Sequence, residues 1–471
     1  MDLDDIVYIV LLFVCFGFGY IYRQIQNIEQ KKWIGSGLGL LIILLVSGYH
    51  ICHPLFTFLI NAFIILLLPK RSSHVISFAF TFLYLIFFRT TIYFGIPYPP
   101  AHTNMIQMIL TLKLVGLAFE VNSSYLITRR IEEATSLEKS LEDESNIIDP
   151  SFIDIFHYTF NYIGLLTGPY YRYRTQRDFF NLPFSSYAKH TEESVKKLFY
   201  IPLYAFLFLW ATYNWPLSYA LSDEFYNDRS WLYRFWYCWP NFFIFRMRLY
   251  TAMLLSECIC TMAGMGAYPS KCQSRPGQGP STNFEEMKTI VQNPERLKTE
   301  KYNFQTIHNI DPYGSDFCTT FREGIKHWNI CVQYWFAVNI YKRFPNKKFR
   351  TVTTMLLSAF WHGMYTGHYV CIGLAPFYLI IEDVYVKLFL KDNLGPSLHI
   401  WEWIIWFFKM LAFSYLSMAF TLLSLDHVIR YYSSVYYIGF IGFAVMYAVG
   451  IRMLKQTKIR NKNTEQAKKD F

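Results

Sequence analysis

The sequence predicts an all-α polytopic membrane protein of about 11 transmembrane helices, with re-entrant or interfacial helices among them. Three observations predict it. Of 471 residues, 53% are hydrophobic, 20% aromatic and 17% charged, against about 25% charged in ordinary soluble domains. Apolar blocks of spanning length recur along the chain, where a helix needs about 20 apolar residues to cross a bilayer. The basic residues fall unevenly between alternate connections. Together these exclude intrinsic disorder, fibrous repeats and small disulfide scaffolds, and they weigh against a soluble globular enzyme.

Eleven apolar segments can be drawn, at 6–22, 34–50, 54–69, 74–95, 103–121, 198–214, 236–263, 351–368, 369–389, 401–423 and 434–453. The first is preceded by Asp2, Asp4 and Asp5 rather than by a basic region, which marks a retained helix and not a cleaved signal peptide. The third, from Leu55 to Leu68 before Pro69, is short enough to require a thinned bilayer or burial in protein. Residues 152–171 are also apolar, but a crossing there would carry Arg172, Arg174 and Arg177 to the wrong side. They are expected to form a re-entrant or interfacial segment. The acidic stretch from Glu132 to Asp149 is expected to be a solvated loop. One membrane domain over 1–453 and a basic tail over 454–471 complete the expected organisation.

Orientation follows from charge. With the N-terminus in the lumen, the cytosolic connections hold 35 Lys and Arg and the lumenal ones three, Arg229, Arg234 and Arg430. That asymmetry favours a lumenal N-terminus and a cytosolic C-terminus. Asn122-Ser123-Ser124 is a glycosylation sequon, expected to be cytosolic and unused. The nine cysteines are scattered and odd in number, and read as free buried thiols. Cys258 and Cys260 form a C-x-C with no second ligand pair, so no metal site is indicated.

The phosphate-loop, zinc-hydrolase and serine-hydrolase signatures are missing, as is an H-x-x-x-x-D motif. What remains is polar residues in apolar surroundings, which are costly there and default to a functional hypothesis. His362, in Phe360-Trp361-His362-Gly363, lies twelve residues beyond Arg350. At about 1.5 Å per residue it sits roughly 18 Å deep. A neutral imidazole there can take a proton from a hydroxyl; a packed histidine bonded to a carbonyl is the alternative. Asn329 follows Trp328 in a second constellation, where Trp328, Val332 and Trp335 share a face at helical spacing. Its amide can donate to developing oxygen charge or simply join two helices.

Arg246 and Arg248 lie inside an apolar span and suit a bound anion such as phosphate, or pairing with Glu257 or carbonyls. Arg172 and Arg174 follow Thr167-Gly168-Pro169 and suit headgroups, or plain interfacial snorkelling. Lys342, Arg343, Lys347, Lys348 and Arg350 crowd one cytosolic mouth, where a polyphosphate or an anionic leaflet would be attracted.

The Trp361-His362-Gly363 segment, with Trp328-Asn329 upstream, resembles the membrane-bound O-acyltransferase family. Thr167-Gly168-Pro169 with its Tyr-Arg-Tyr-Arg, Phe245-Arg246-Met247-Arg248 and Asn309-Ile310-Asp311 resemble its lysophosphatidylinositol acyltransferase branch. The resemblance implies a multi-pass endoplasmic reticulum enzyme with a buried catalytic tunnel. It would move a polyunsaturated acyl chain, arachidonoyl by expectation, from acyl-coenzyme A to the sn-2 hydroxyl of lysophosphatidylinositol. The family's His and Asn fall on His362 and Asn329. Arg246, Arg248, Arg172, Arg174, Trp328, Trp335 and Trp361 are the expected substrate contacts. Acyl-coenzyme A is a co-substrate, and no cofactor or nucleic acid is expected. The terminal Lys468-Lys469-Asp470-Phe471 resembles a dilysine retrieval signal. A relative acting on another lysophospholipid or on a peptide, and a transporter, are the alternatives; the absence of internal repeats counts against the last.

Overall fold

The computed structural model describes residues 3–133, 141–390 and 397–469. It is an all-helical fold. Its only β structure among the described residues is one short antiparallel pair, Tyr268–Pro269 with Tyr302–Asn303, and an isolated bridge between Arg275 and Gly279. Six helical stretches are long and apolar enough to cross a membrane: Ile28–Leu67, Ala101–Glu133, His190–Leu221, Thr366–Phe389, Leu398–Leu422 and Ile438–Ile459. Ile6–Tyr22 and Ser73–Arg89 are apolar but shorter. Several expected spans merge or break. Two of them fall within Ile28–Leu67, and the expected span 351–368 is cut after His362, where the helix Arg350–His362 ends.

The chain forms two compact units, both discontinuous in sequence. The first comprises Met1–Tyr204, Leu249–Ile310 and Asn329–Phe344. At its centre runs the helix Ala101–Glu133, buried along most of its length because polar side chains on it find partners. Gln107 donates to Thr57 (2.7 Å), while Asn61 joins Thr81 (3.0 Å) and Ser77 (2.6 Å). In a low-dielectric interior such pairs lower the cost of burying amides and hydroxyls. Gly116 on this helix lets a tryptophan approach: a Cβ there would lie 3.0 Å from Trp335 Nε1. The Trp335 N–H donates to the Leu112 carbonyl at 2.9 Å.

The apolar stretch 152–171 does not span. Ser151 and Asp154 form a capping box at its start. The helix Phe152–Phe160 then stops at Asn161, whose side-chain oxygen accepts from the Ile163 amide and competes with helix continuation. Nine residues are too few to cross a bilayer.

The expectation of a solvated loop from Glu132 to Asp149 is corrected for its second half. Residues 134–140 lie outside the described ones. The rest is docked: Ile148 is buried, and Arg177 donates to the carbonyls of Ser145 and Ile147, both at 2.9 Å.

The second unit comprises Ala205–Arg248, Asp311–Trp328 and Pro345–Phe471. Its core lies among the helices Thr366–Phe389, Ser397–Leu422 and Ile438–Lys469 and the short helix Phe321–Lys326. Glu382 accepts the Phe321 and Arg322 amides at the start of that short helix. Lys409 is fully buried and donates to the carbonyls of Ser315, Asp316 and Cys318. The expected tail boundary at 454 falls inside a continuous helix, Ile438–Lys469. Asp470 and Phe471 of the dilysine-like ending lie outside the described residues.

Candidate active site

His362 is the last residue of the helix Arg350–His362. Gly363 ends that helix in an extended conformation, its amide still bonded to the Ala359 carbonyl (3.1 Å). Glycine is required there by space: a Cβ would lie 2.5 Å from Cε1 of His368. His362 is half-buried and framed by rings. Trp361 meets it edge-on at 4.8 Å, Phe420 at 5.3 Å, and His368 lies 6.2 Å away. Phe420 also packs on His368 (4.6 Å) and on Phe245 (5.3 Å). Phe245 in turn stacks on Trp328 at 6.0 Å with planes 14° apart. A run of aromatic faces therefore joins Trp328 to His362 within the second unit. Edge-to-face packing of this kind restricts ring orientation, which a general base needs.

The expected Trp328, Val332, Trp335 face is corrected. Asn329 takes a left-handed backbone conformation (φ 50°, ψ 50°), and the helix Ile330–Phe336 begins only after it. Trp328 therefore lies outside the helix that carries the other two. Asn329 belongs to the first unit. Its side chain is half-buried and has no hydrogen-bond partner among the described residues.

The arginines divide. Arg246 is buried, ion-paired with Asp316 and seated over the Phe242 ring (4.8 Å). Its partner is neither Glu257 nor a set of carbonyls. Arg248, two residues on, is exposed and has no partner among the described residues. Arg172 pairs with Glu120 (3.2 Å) and bonds Asn146 (3.2 Å). Burial draws the Arg172 pKa down, but the Glu120 carboxylate together with Tyr334 and Tyr170 raises the net value, so the charge is firmly held. Arg174 is almost fully buried and donates to Ser145, Asn146 and the carbonyls of Gln278 and Pro280. These two guanidinium groups fasten the 145–146 segment. Trp335 is fully buried with its N–H engaged, which makes it an anchor of its helix. Trp361 is buried behind His362.

Of the basic residues near 342–350, Arg343 donates to Asn122 (3.1 Å) and Ser123 (2.8 Å). Asn122 is buried, and its Nδ2 donates to the Lys70 and Arg71 carbonyls, so this sequon offers no free amide. Lys342, Lys347 and Lys348 are exposed. The nine cysteines are unpaired; six are buried, Cys318 and Cys371 half-buried and Cys52 exposed.

Sequence reasoning missed Phe245, Phe420 and His368 around the imidazole. Nothing in their spacing could have found them, since they converge from three separate helices. Glu257 and Asn309 were both in view, the first as a possible partner of Arg246 and Arg248 and the second within Asn309-Ile310-Asp311.

The profile of the membrane-bound O-acyltransferase family matches residues 95–425. The chain belongs to this family. It is accordingly a membrane-embedded O-acyltransferase, with His362 and Asn329 both inside the matched region. Its similarity to individual members runs nearly end to end. It is 46% identical over 469 residues to the membrane-bound acylglycerophosphatidylinositol O-acyltransferase frj of Drosophila melanogaster, covering 97% of this chain and 94% of that one. It is 36% identical over 454 residues to the membrane-bound acylglycerophosphatidylinositol O-acyltransferase MBOAT7 of Homo sapiens, covering 96% and 94%. It is 31% identical over 446 residues to mboa-7 of Caenorhabditis elegans, which carries the same descriptive name, covering 93% of each.

Proposed function

We propose that this protein transfers an acyl chain from acyl-coenzyme A to the sn-2 hydroxyl of lysophosphatidylinositol, with arachidonoyl as the preferred chain. The observation that carries the reading is the near full-length similarity to relatives that each bear the name acylglycerophosphatidylinositol O-acyltransferase. The site chemistry supports it. His362 is reachable, being half-buried at a helix end, and its ring is held among Trp361, Phe420 and His368. As a neutral imidazole it takes the proton from the acceptor hydroxyl. The oxygen attacks the thioester carbonyl, the carbon–sulfur bond breaks, and the imidazolium returns the proton to the departing thiolate. A positioned base of this kind is worth roughly 10²–10⁴-fold. The Asn329 amide, without an internal partner among the described residues, serves the reacting oxygen.

Arg248 contacts the acceptor phosphate, while Arg246 supports that helix through Asp316. We place the protein in the endoplasmic reticulum with a lumenal N-terminus and a cytosolic C-terminus, on the charge asymmetry of its connections. The test is an acceptor panel on purified protein in detergent. Lysophosphatidylinositol, lysophosphatidylcholine and lysophosphatidylserine are each offered with arachidonoyl- and oleoyl-coenzyme A. Preference for the inositol lipid supports the reading. Preference for another headgroup would leave the reaction and remove the acceptor, and no thioester consumption with any lipid would remove both.

A further inference from the structure

Asparagine at the start of a helix ordinarily folds its side chain back to accept an amide of the first turn. Asn329 occupies that position and does not do so. Its backbone is left-handed, a conformation asparagine tolerates better than most residues. The first-turn amides of the helix Ile330–Phe336 are satisfied from elsewhere. The Ile330 amide donates to the Asn309 carbonyl (2.7 Å) and the Cys331 amide to Asn309 Oδ1 (3.1 Å). The Val332 and Gln333 amides reach the Asn329 carbonyl, not its side chain. A residue twenty positions upstream thus does the capping.

Asn309 is itself fixed. It is buried, and its amide and that of Ile310 both donate to Glu257 Oε1, at 2.6 and 2.9 Å. Glu257 is fully buried, ion-paired with Lys197, with His308 Nδ1 3.5 Å away. A carboxylate that accepts two backbone amides and faces two basic side chains is tightly determined in position. The order runs from Lys197 and Glu257 to Asn309, and from Asn309 to the helix start at Asn329, entirely within the first unit.

We propose that Asn309, held by Glu257, is a positioning residue that takes over the capping of the helix Ile330–Phe336 and so leaves the Asn329 amide for the reacting oxygen. This rests on the reading of Asn329 given above. Without Asn309 Oδ1, the Cys331 amide is an orphan donor, and the side chain at the Asn329 position is the ordinary acceptor for such a first-turn amide. The site amide would then be drawn into its own helix.

The experiment measures kcat and both KM values for Asn309→Ala, Asn309→Ser, Asn329→Ala and Asn309→Ala/Asn329→Ala in full-length protein. Asn309→Ala is expected to lower kcat about tenfold, the scale of one lost hydrogen bond, with both KM values unchanged. Asn309→Ser keeps an oxygen acceptor and should recover most of that loss. In the Asn329→Ala background the Asn309 substitution should have no further effect on residual turnover, because the amide it protects is gone. A purely structural role would instead lower turnover by the same factor in both backgrounds, which would overturn the inference. So would wild-type kcat in Asn309→Ala beside an inactive Asn329→Ala. If Asn309→Ala fails to fold, Asn309→Leu, which fills the site without offering an acceptor, is carried through the same pair of backgrounds with the same two outcomes. Full activity of Asn329→Ala would overturn the role assigned to Asn329, and with it the inference.

Discussion

The two residues assigned to the reaction are held in opposite ways. His362 closes a helix and is oriented by the faces and edges of Trp361, Phe420 and His368. Asn329 precedes a helix, and its backbone is set by hydrogen bonds that lead through Asn309 to Glu257. A ring that must pick up and return a proton is steadied here by the rings packed around it, which restrict its orientation. An amide that must stay available is best steadied from its backbone, with the first-turn donors beside it already matched. Both positions use the end of a helix, where the main chain is free to leave helical geometry.

This contrast can be broken or sharpened by substitution. After loss of the imidazole itself, the largest catalytic effect should come from Asn329→Ala, a loss of roughly 10²–10³ in kcat if the amide acts on oxygen charge. A near-normal rate in purified protein would show that it does not. On the same side, Glu257→Ala removes the buried partner of a part-buried ion pair and orphans the Asn309 and Ile310 amides, at about 1–3 kcal/mol for each group left unsatisfied. It should appear as a lowered unfolding midpoint in detergent, partly restored by adding Lys197→Met; an unchanged midpoint would contradict the arrangement.

On the imidazole side, Gly363→Ala forces a Cβ against the His368 ring. Overpacking of this kind costs about 1–3 kcal/mol, so activity should fall about tenfold. Gly363→Ala/His368→Ala, which makes room, should recover part of the activity; failure to recover would mean that the strain lies elsewhere. The smallest effect is expected at Arg248, which is exposed. Arg248→Ala should raise the acceptor KM roughly threefold to tenfold, the range of one charged hydrogen bond weakened by solvent, and leave kcat unchanged. An unchanged KM would remove Arg248 from the headgroup contact.

Much of this was legible in the sequence. Hydropathy located most of the long helices because each must be apolar over its length, and the cost of intramembrane polar groups singled out His362, Asn329 and Arg246. Helical spacing misled at Trp328, because a single left-handed residue resets the phase and no composition signal marks it. The span drawn over 351–368 missed the break after His362, where Gly363 turns to an extended conformation. The arginines at 172 and 174 looked like headgroup ligands because charge alone does not reveal that Glu120, Asn146 and two carbonyls lie within reach. Residues brought together from distant segments, such as Phe245, Phe420 and His368, are legible only in three dimensions.

The most direct test of the account is the initial rate of coenzyme A release from arachidonoyl-coenzyme A with lysophosphatidylinositol, for wild type against His362→Ala of equal monodispersity. Loss of at least about 10²-fold, with the folded protein retained, is what a positioned general base predicts. Turnover at the wild-type rate would contradict it and return His362 to the role of a packed histidine.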